Sequence, residues 1–330
     1  MKSTRTMLVL AAALIASITS SAASAPSHSG SPSATLLASG LEGGSGSTVG
    51  PDGALYVTEA EAGKVSRVDP RTGRVSTFAR GLPKRIAPTG GAMDVAFIGR
   101  TAYVLVTLVG PDVGGSDTVG IYRVDGRDRF TVIADIGAFS LANPPPPDIV
   151  IFVPTGVQYA LQPYRGGFLV TDGHHNRVLH VTRGGDVSEL IAFGNIVPTG
   201  LELLGNIVLM AQAGPVPHLP ENGRIVAFGP RGHTAIELAS GAPLLVDVEF
   251  GRGLSLYALS QGDFLEGNPE GSPAQPDTGS LVKVNWNGTF SVITDGLDRP
   301  TSMEFIGDTA YVVTLTGEIW KIEDVSGRRH

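Results

Sequence analysis

One pattern of short strands recurs six times along the 330 residues, and that recurrence leaves few folds open. Its plainest copy is Gly50–Leu82, GPDGALYVTEAEAGKVSRVDPRTGRVSTFARGL. Leu55–Thr58, Val65–Val68 and Val75–Phe78 alternate with period two and are rich in β-branched and aromatic residues. The turns between them, Pro51-Asp52-Gly53 and Asp69–Gly73, pair a proline that presets φ with a glycine that supplies positive φ. Each copy is therefore expected to be a small antiparallel meander.

Second strands read LYVTE (Leu55), AYVLV (Ala102), FLVTD (Phe168), IVLMA (Ile207), LYALS (Leu256) and AYVVT (Ala310). A third strand follows in every copy, and a fourth in five of them. The sixth copy runs out of chain, but Ala34–Gly40, ATLLASG, has the fourth-strand pattern. The expected fold is thus all-β, a six-bladed β-propeller over residues 34–327, closed by pairing the N-terminal strand with the last blade. Closure removes the sheet edges that a linear array would expose, and an open solenoid leaves the N-terminal match unexplained.

Composition suits this architecture: 17% charged residues, 44 glycines and 23 prolines. A net charge of −7 argues against nucleic acid as a partner. The absence of cysteine excludes disulfides, thiolate metal sites and a cysteine nucleophile. Residues 1–25 read as a signal peptide, with Lys2 and Arg5 ahead of an apolar run and small residues at Ala23–Ala25. The chain is expected to be secreted or held in the cell envelope or periplasm, as a monomer, with 26–33 a flexible leader. No segment is long enough to span a membrane.

Links between second and third strands vary most, reaching Ser260–Gly279. The lead-ins to the first strands are also long, above all Ala142–Pro154 with four consecutive prolines. In a propeller both sets lie on one face, around the channel mouth. A small molecule, glycan or protein is expected to bind on that loop-rich face.

LLASGL, GPDGALYVTEA and GKVSRVDPRTG, with VGPDVGGSDTVGIYRVDG, PTGVQYALQPYRGGFLVTDGHHNRVLHVT and AGPVPHLPENG, resemble the secreted ScyD/ScyE family. TDGHHNRVLHV is more distantly similar to the NHL propeller repeat. The resemblance implies a six-bladed propeller and brings no catalytic residues with it. Gly43-Gly44 departs from the Asn-Pro pair typical before the first inner strand.

Aligning the innermost strands places Glu202, Glu249 and Glu304 at equivalent positions in three adjacent blades, with Gln158 in a fourth. Asp94 and Asp247 lie two residues earlier, on the same strand face. Such oxygen donors suit Ca²⁺ or Mg²⁺ in the central channel, as in six-bladed lactonases. The other reading has these carboxylates solvated or bonded to backbone N–H groups. Asp172, His174, His175, Asn176 and Arg177 form the densest polar cluster: either base, orienting acid and metal ligands, or a turn with Asn176 left-handed and Arg177 paired to a neighbouring blade. His218, inside AGPVPHLPENG, is expected to be exposed on the loop face. These features favour a non-enzymatic binding propeller, with a channel-metal hydrolase or lyase of the lactonase type as the alternative.

Overall fold

The computed structural model describes residues 32, 34–146, 153–229, 234–269 and 271–326. The expected signal peptide and nearly all of the leader lie outside them, as does Pro147 of the proline run. Among the described residues the strands pair into six four-stranded antiparallel sheets, so the structure is a six-bladed β-propeller. Innermost in successive blades are β2 (Gly44–Val49), β6 (Gly91–Ile98), β10 (Gln158–Tyr164), β14 (Pro198–Leu204), β18 (Leu245–Phe250) and β22 (Pro300–Ile306).

The sixth sheet has the order β1-β24-β23-β22, in which β1 (Ala34–Ala38) is the outermost strand. It pairs antiparallel with β24 (Ile319–Ile322), Ala34 opposite Ile322 and Leu36 opposite Trp320. β23 (Thr309–Thr314) joins β24 to β22. The N-terminal strand thus closes the last blade, as its pattern implies.

Apolar residues alternate along the middle strands and meet between blades, not within one central core. Tyr56, Val65 and Val95 fill the first junction; Leu105, Phe168 and Val170 the second; Leu169, Met210 and Val226 the third. Leu209, Ile225 and Val248 fill the fourth, and Tyr257, Leu281 and Met303 the fifth. Leu55, Val57, Tyr311 and Val313 seal the last blade against the first.

Polar side chains stitch the same junctions near the channel. Thr171 accepts the Ala160 N–H at 2.9 Å and donates to the Thr199 carbonyl of the next blade at 2.7 Å. Thr199 donates onward to the Leu245 carbonyl at 2.8 Å, and Thr301 to the Gly44 carbonyl at 3.2 Å. Thr199 and Thr301 each follow a proline that opens an inner strand, Pro198 and Pro300, and in both blades the hydroxyl reaches the neighbour's backbone. Gly44 is forced by the same closeness, since a Cβ there would stand 2.6 Å from the Thr314 carbonyl oxygen. The departure at Gly43-Gly44 is therefore a fit to the closing junction.

The loop-rich face carries one element that the repeat pattern does not show. Helix α1 (Ile136–Ala142) lies in the connection from the second blade to the third, its first turn capped by the Asp135 carboxylate on the Ala138 N–H at 2.8 Å. Among the described residues no helix is long and apolar enough to cross a membrane.

Removing β1 leaves β24 an open edge beside a half-filled junction. A chain starting after Ala38 should melt several degrees lower and scatter light on heating, compared by thermal denaturation with light scattering.

Candidate functional site

A cavity of about 190 Å³ opens at the channel, lined from all six inner strands or the loops beside them. Its polar lining includes Asp94, Asp247, Glu249, Glu304, His174 and His218. No lysine or arginine lines it among the described residues.

Strand register decides which inner residues are equivalent. Glu202 lies opposite Leu209, Glu249 opposite Tyr257 and Glu304 opposite Tyr311, so the three glutamates do share one level in adjacent blades. Thr48 opposite Tyr56, Ala96 opposite Tyr103 and Gln162 opposite Leu169 complete the level. Gln158 is not its fourth member. It pairs with Asp172 at the start of β10, the place that Pro198 holds opposite Gln212, four residues ahead of Gln162.

One step nearer the loop face stand Asp94 and Asp247, each binding across a blade junction. Asp94 accepts the Val95 N–H at 2.8 Å and the Leu161 N–H of the next blade at 2.7 Å. Asp247 does the same with Val248 at 2.9 Å and Met303 at 2.8 Å. Each fits because the preceding blade offers a glycine: a Cβ on Gly200 would stand 2.5 Å from the Asp247 Cα, and Gly46 abuts Asp94 in the same way. Glu202 accepts the Leu203 N–H, Glu304 the Val49 N–H, and Glu249 is hydrogen-bonded to Glu202.

This set does not fit the expected Ca²⁺ or Mg²⁺. Among the described residues no three Asp, Glu or His groups are arranged to hold a metal ion. Both oxygens of Asp94 and of Asp247 face backbone N–H groups. Burial, then repulsion from Glu304 and Glu202, pushes Glu249 well above the usual carboxylate range. Burial raises Glu304 likewise, with Asp247 and Asp94 adding repulsion, and burial dominates for Asp94 as well. Asp247 is pushed up to about 7, by burial first and the charge of Glu202 last.

The Asp172–Arg177 cluster divides. Asn176 is left-handed at φ 54°, and its side-chain oxygen accepts the Ile196 and Val197 N–H groups at 2.8 and 2.9 Å. Arg177 donates to Asp172 at 3.0 Å, to Ser140 at 3.0 Å and to the Asn143 carbonyl at 2.8 Å. It ties α1 to the third blade, so its main partners lie in its own blade and the preceding connection. His175 accepts from Arg177 at Nδ1, 3.0 Å away, and its Nε2–H donates to the Val153 carbonyl at 2.8 Å. Asp172, His175 and Arg177 are fully committed to this clamp. His174 faces the cavity with Tyr159 Oη 3.5 Å from its Nε2. Burial lowers its pKa to about 4, so the ring is neutral.

His218 corrects the expectation of an exposed loop histidine: only 8% of it is accessible. Its Nδ1–H donates to the Gly214 and Ala213 carbonyls at 2.8 and 3.3 Å, which folds the ring inward over the cavity. Carbonyls accept only, so the proton sits on Nδ1 and Nε2 keeps its lone pair. Burial lowers its pKa too. The residues leading into the inner strands of blades four to six, Val197 at φ 49°, Leu244 at φ 43° and Arg299 at φ 49°, hold a conformation that glycine supplies at Gly43 and Gly90. Val197 and Leu244 line the cavity, so backbone strain gathers on the side of His218. Sequence reasoning missed Tyr159, Gln162 and Gln261 as lining residues, since neutral side chains carry no signal without the register.

No family model matches this chain. No curated protein matches it in sequence. Solved structures do resemble it. Virginiamycin B lyase from Staphylococcus aureus superposes with a TM-score of 0.52 at 13% identity, covering 88% of this chain and 98% of the other. A gluconolactonase from Xanthomonas campestris gives 0.60 at 12% identity, covering 88% and 89%. The PQQ-bound aldose sugar dehydrogenase from Streptomyces coelicolor gives 0.58 at 14% identity, covering 91% and 99%. At such identities the likeness establishes the fold alone.

The buried carboxyls imply a pH dependence of known sign. The unfolded chain releases these protons near about pH 4, whereas the folded chain holds them to about 7 at Asp247 and higher than usual at its neighbours. Stability therefore falls as pH rises through that window and past it. His174 acts oppositely, its contribution being lost only as pH drops from 6.5 towards about 4. Between about pH 6.5 and 8 the melting temperature should fall, and Glu249→Gln should flatten the fall and melt several degrees higher at the alkaline end. Ca²⁺ and a chelator should leave both melts unchanged.

Proposed function

We propose that the chain is a hydrolase or lyase that opens a small uncharged ester or lactone at the channel mouth by general acid–base catalysis. The observation that carries this reading is the pairing of a fixed, neutral His218, its Nε2 lone pair free of the backbone, with a cavity lined by carboxyls that hold protons. Groups whose surroundings push a base down and an acid up are the arrangement that acid–base chemistry near neutral pH needs. The structural neighbours include proteins described as a lyase, a lactonase and a dehydrogenase, which fits this reading better than a non-enzymatic propeller. No step is routed through a metal, because the carboxylates are not arranged around one.

In the hydrolytic form, Nε2 of His218 takes a proton from water as its oxygen bonds to the ester carbonyl carbon. The carbon–oxygen bond of the ester or lactone then breaks, and the departing oxygen receives a proton from the Glu249 carboxyl, which lines the cavity. Product is one carboxylic acid and one alcohol, joined in the lactone case. Water afterwards returns the proton to Glu249 from the imidazolium. The resemblance of the repeats to the secreted ScyD/ScyE family, with the signal-like N-terminus, favours work outside the cytoplasm.

Hydrolysis of p-nitrophenyl acetate and of δ-gluconolactone tests the reading. The rate should rise with pH through the lowered range of the buried His218 imidazole and fall as Glu249, held above the usual carboxylate range by burial, gives up its proton. His218→Asn should lose about a hundredfold or more in kcat/KM. Wild-type rates in that variant, or no hydrolysis of either compound by the parent chain, overturn the proposal. Saturable binding of the lactone without turnover would instead support a binding propeller.

A further inference from the structure

Two loops rise over the fourth and fifth blades beside the cavity. One, after β15 (Ile207–Gln212), carries His218; the other, after β19 (Leu256–Ser260), supplies Gln261, Ser272 and Pro273 to the cavity lining. They meet where the Phe264 ring stands edge-on to His218, centroids 5.1 Å apart at 76°. Around that contact large apolar side chains face solvent: Leu219 is 44% accessible and Leu265 is 51% accessible. Leu219 follows His218 of the cavity lining, and Leu265 follows Phe264, whose ring meets His218.

We propose that the molecule taken at the channel mouth is an ester or lactone with an extended apolar acyl portion, and that Phe264, Leu219 and Leu265 form the wall that selects it. This rests on the reading of the cavity as an ester-opening site. The size of the cavity supplies the first reason. About 190 Å³ accommodates a compact reacting head, so the rest of a larger ligand must leave across the rim. The rim is apolar where His218 stands, and grouped apolar exposure beside a polar cavity marks a contact surface, not stray surface residues. Charge supplies the second reason. With four carboxyls and no lysine or arginine in the described lining, a free carboxylate or phosphate on the ligand has no partner there. A neutral acyl group suits both the lining and the wall. The other exposed apolar residues include Val75, Val132 and Val292, single outward positions on fourth strands, which blade edges show without a ligand.

The p-nitrophenyl esters of acetate, butyrate and octanoate separate this inference from the reading beneath it. Wild-type kcat/KM should rise about tenfold from acetate to butyrate and further to octanoate, in line with burial of each added methylene. In Phe264→Ala, and in a Leu219→Ser, Leu265→Ser pair that changes only exposed side chains, the octanoate-to-acetate ratio should collapse to within about threefold. Melting-temperature shifts with octanamide and acetamide supply a readout free of turnover, octanamide shifting wild type more than either variant. Ester hydrolysis with no chain-length preference, or a preference intact in both variants, overturns the wall and leaves the chemistry standing. Octanamide selectivity that the variants abolish, without ester hydrolysis, overturns the chemistry and leaves the wall. Neither hydrolysis nor an amide shift overturns both.

Discussion

Closing a ring of separate sheets depends on bonds from blade to blade near the channel, because each blade shares no ladder with its neighbours. The structure meets that constraint with short polar side chains at the channel. Thr58 reaches the Met93 carbonyl, Asp94 the Leu161 N–H, Thr171 the Thr199 carbonyl, Thr199 the Leu245 carbonyl, Asp247 the Met303 N–H and Thr301 the Gly44 carbonyl. Every junction has such a bond, including the one between the last blade and the first. Apolar contacts further out hold the blades together, but they are non-directional. The inner bonds fix rotation and register, which is why buried backbone groups at the bulges find partners at all.

That solution has an electrostatic consequence. Two of the stitching groups are aspartates, and they face three glutamates from adjacent blades within a buried channel that offers no basic side chain among its described lining residues. Burial first, with mutual repulsion added, raises the pKa of Asp94, Asp247, Glu249 and Glu304. A device that closes the ring thereby gathers carboxyls of raised pKa at the cavity. The fourth to sixth blades supply the glutamates, Val197 and Leu244 with their strained backbone, and His218.

Much of the fold was legible because strands and turns are local. Period-two alternation located the blades, and the fourth-strand pattern of ATLLASG told how the ring closes. The candidate site was legible only in part. Glu202, Glu249 and Glu304 align by counting from the starts of their strands, whereas Pro154 lies four residues before β10 begins, so the same count from it stops at Gln158 and not at Gln162. Carboxylate identity suggested a cation; each aspartate instead takes one backbone N–H from its own strand and one from another blade, and the second leaves no trace at those positions. His174 and His175 are neighbours in sequence with opposite fates, one facing the cavity and one locked between Arg177 and the Val153 carbonyl.

The sequence by itself determined the number of blades, their strand order and the non-covalent closure, because each follows from periodicity and turn chemistry within about thirty residues. Only the tertiary structure decided that the channel carboxylates brace blades and keep protons, and that His218 turns inward to meet Phe264. Those outcomes depend on distances between residues tens or hundreds of positions apart and on the water that burial removes, and neither quantity is written in any one repeat.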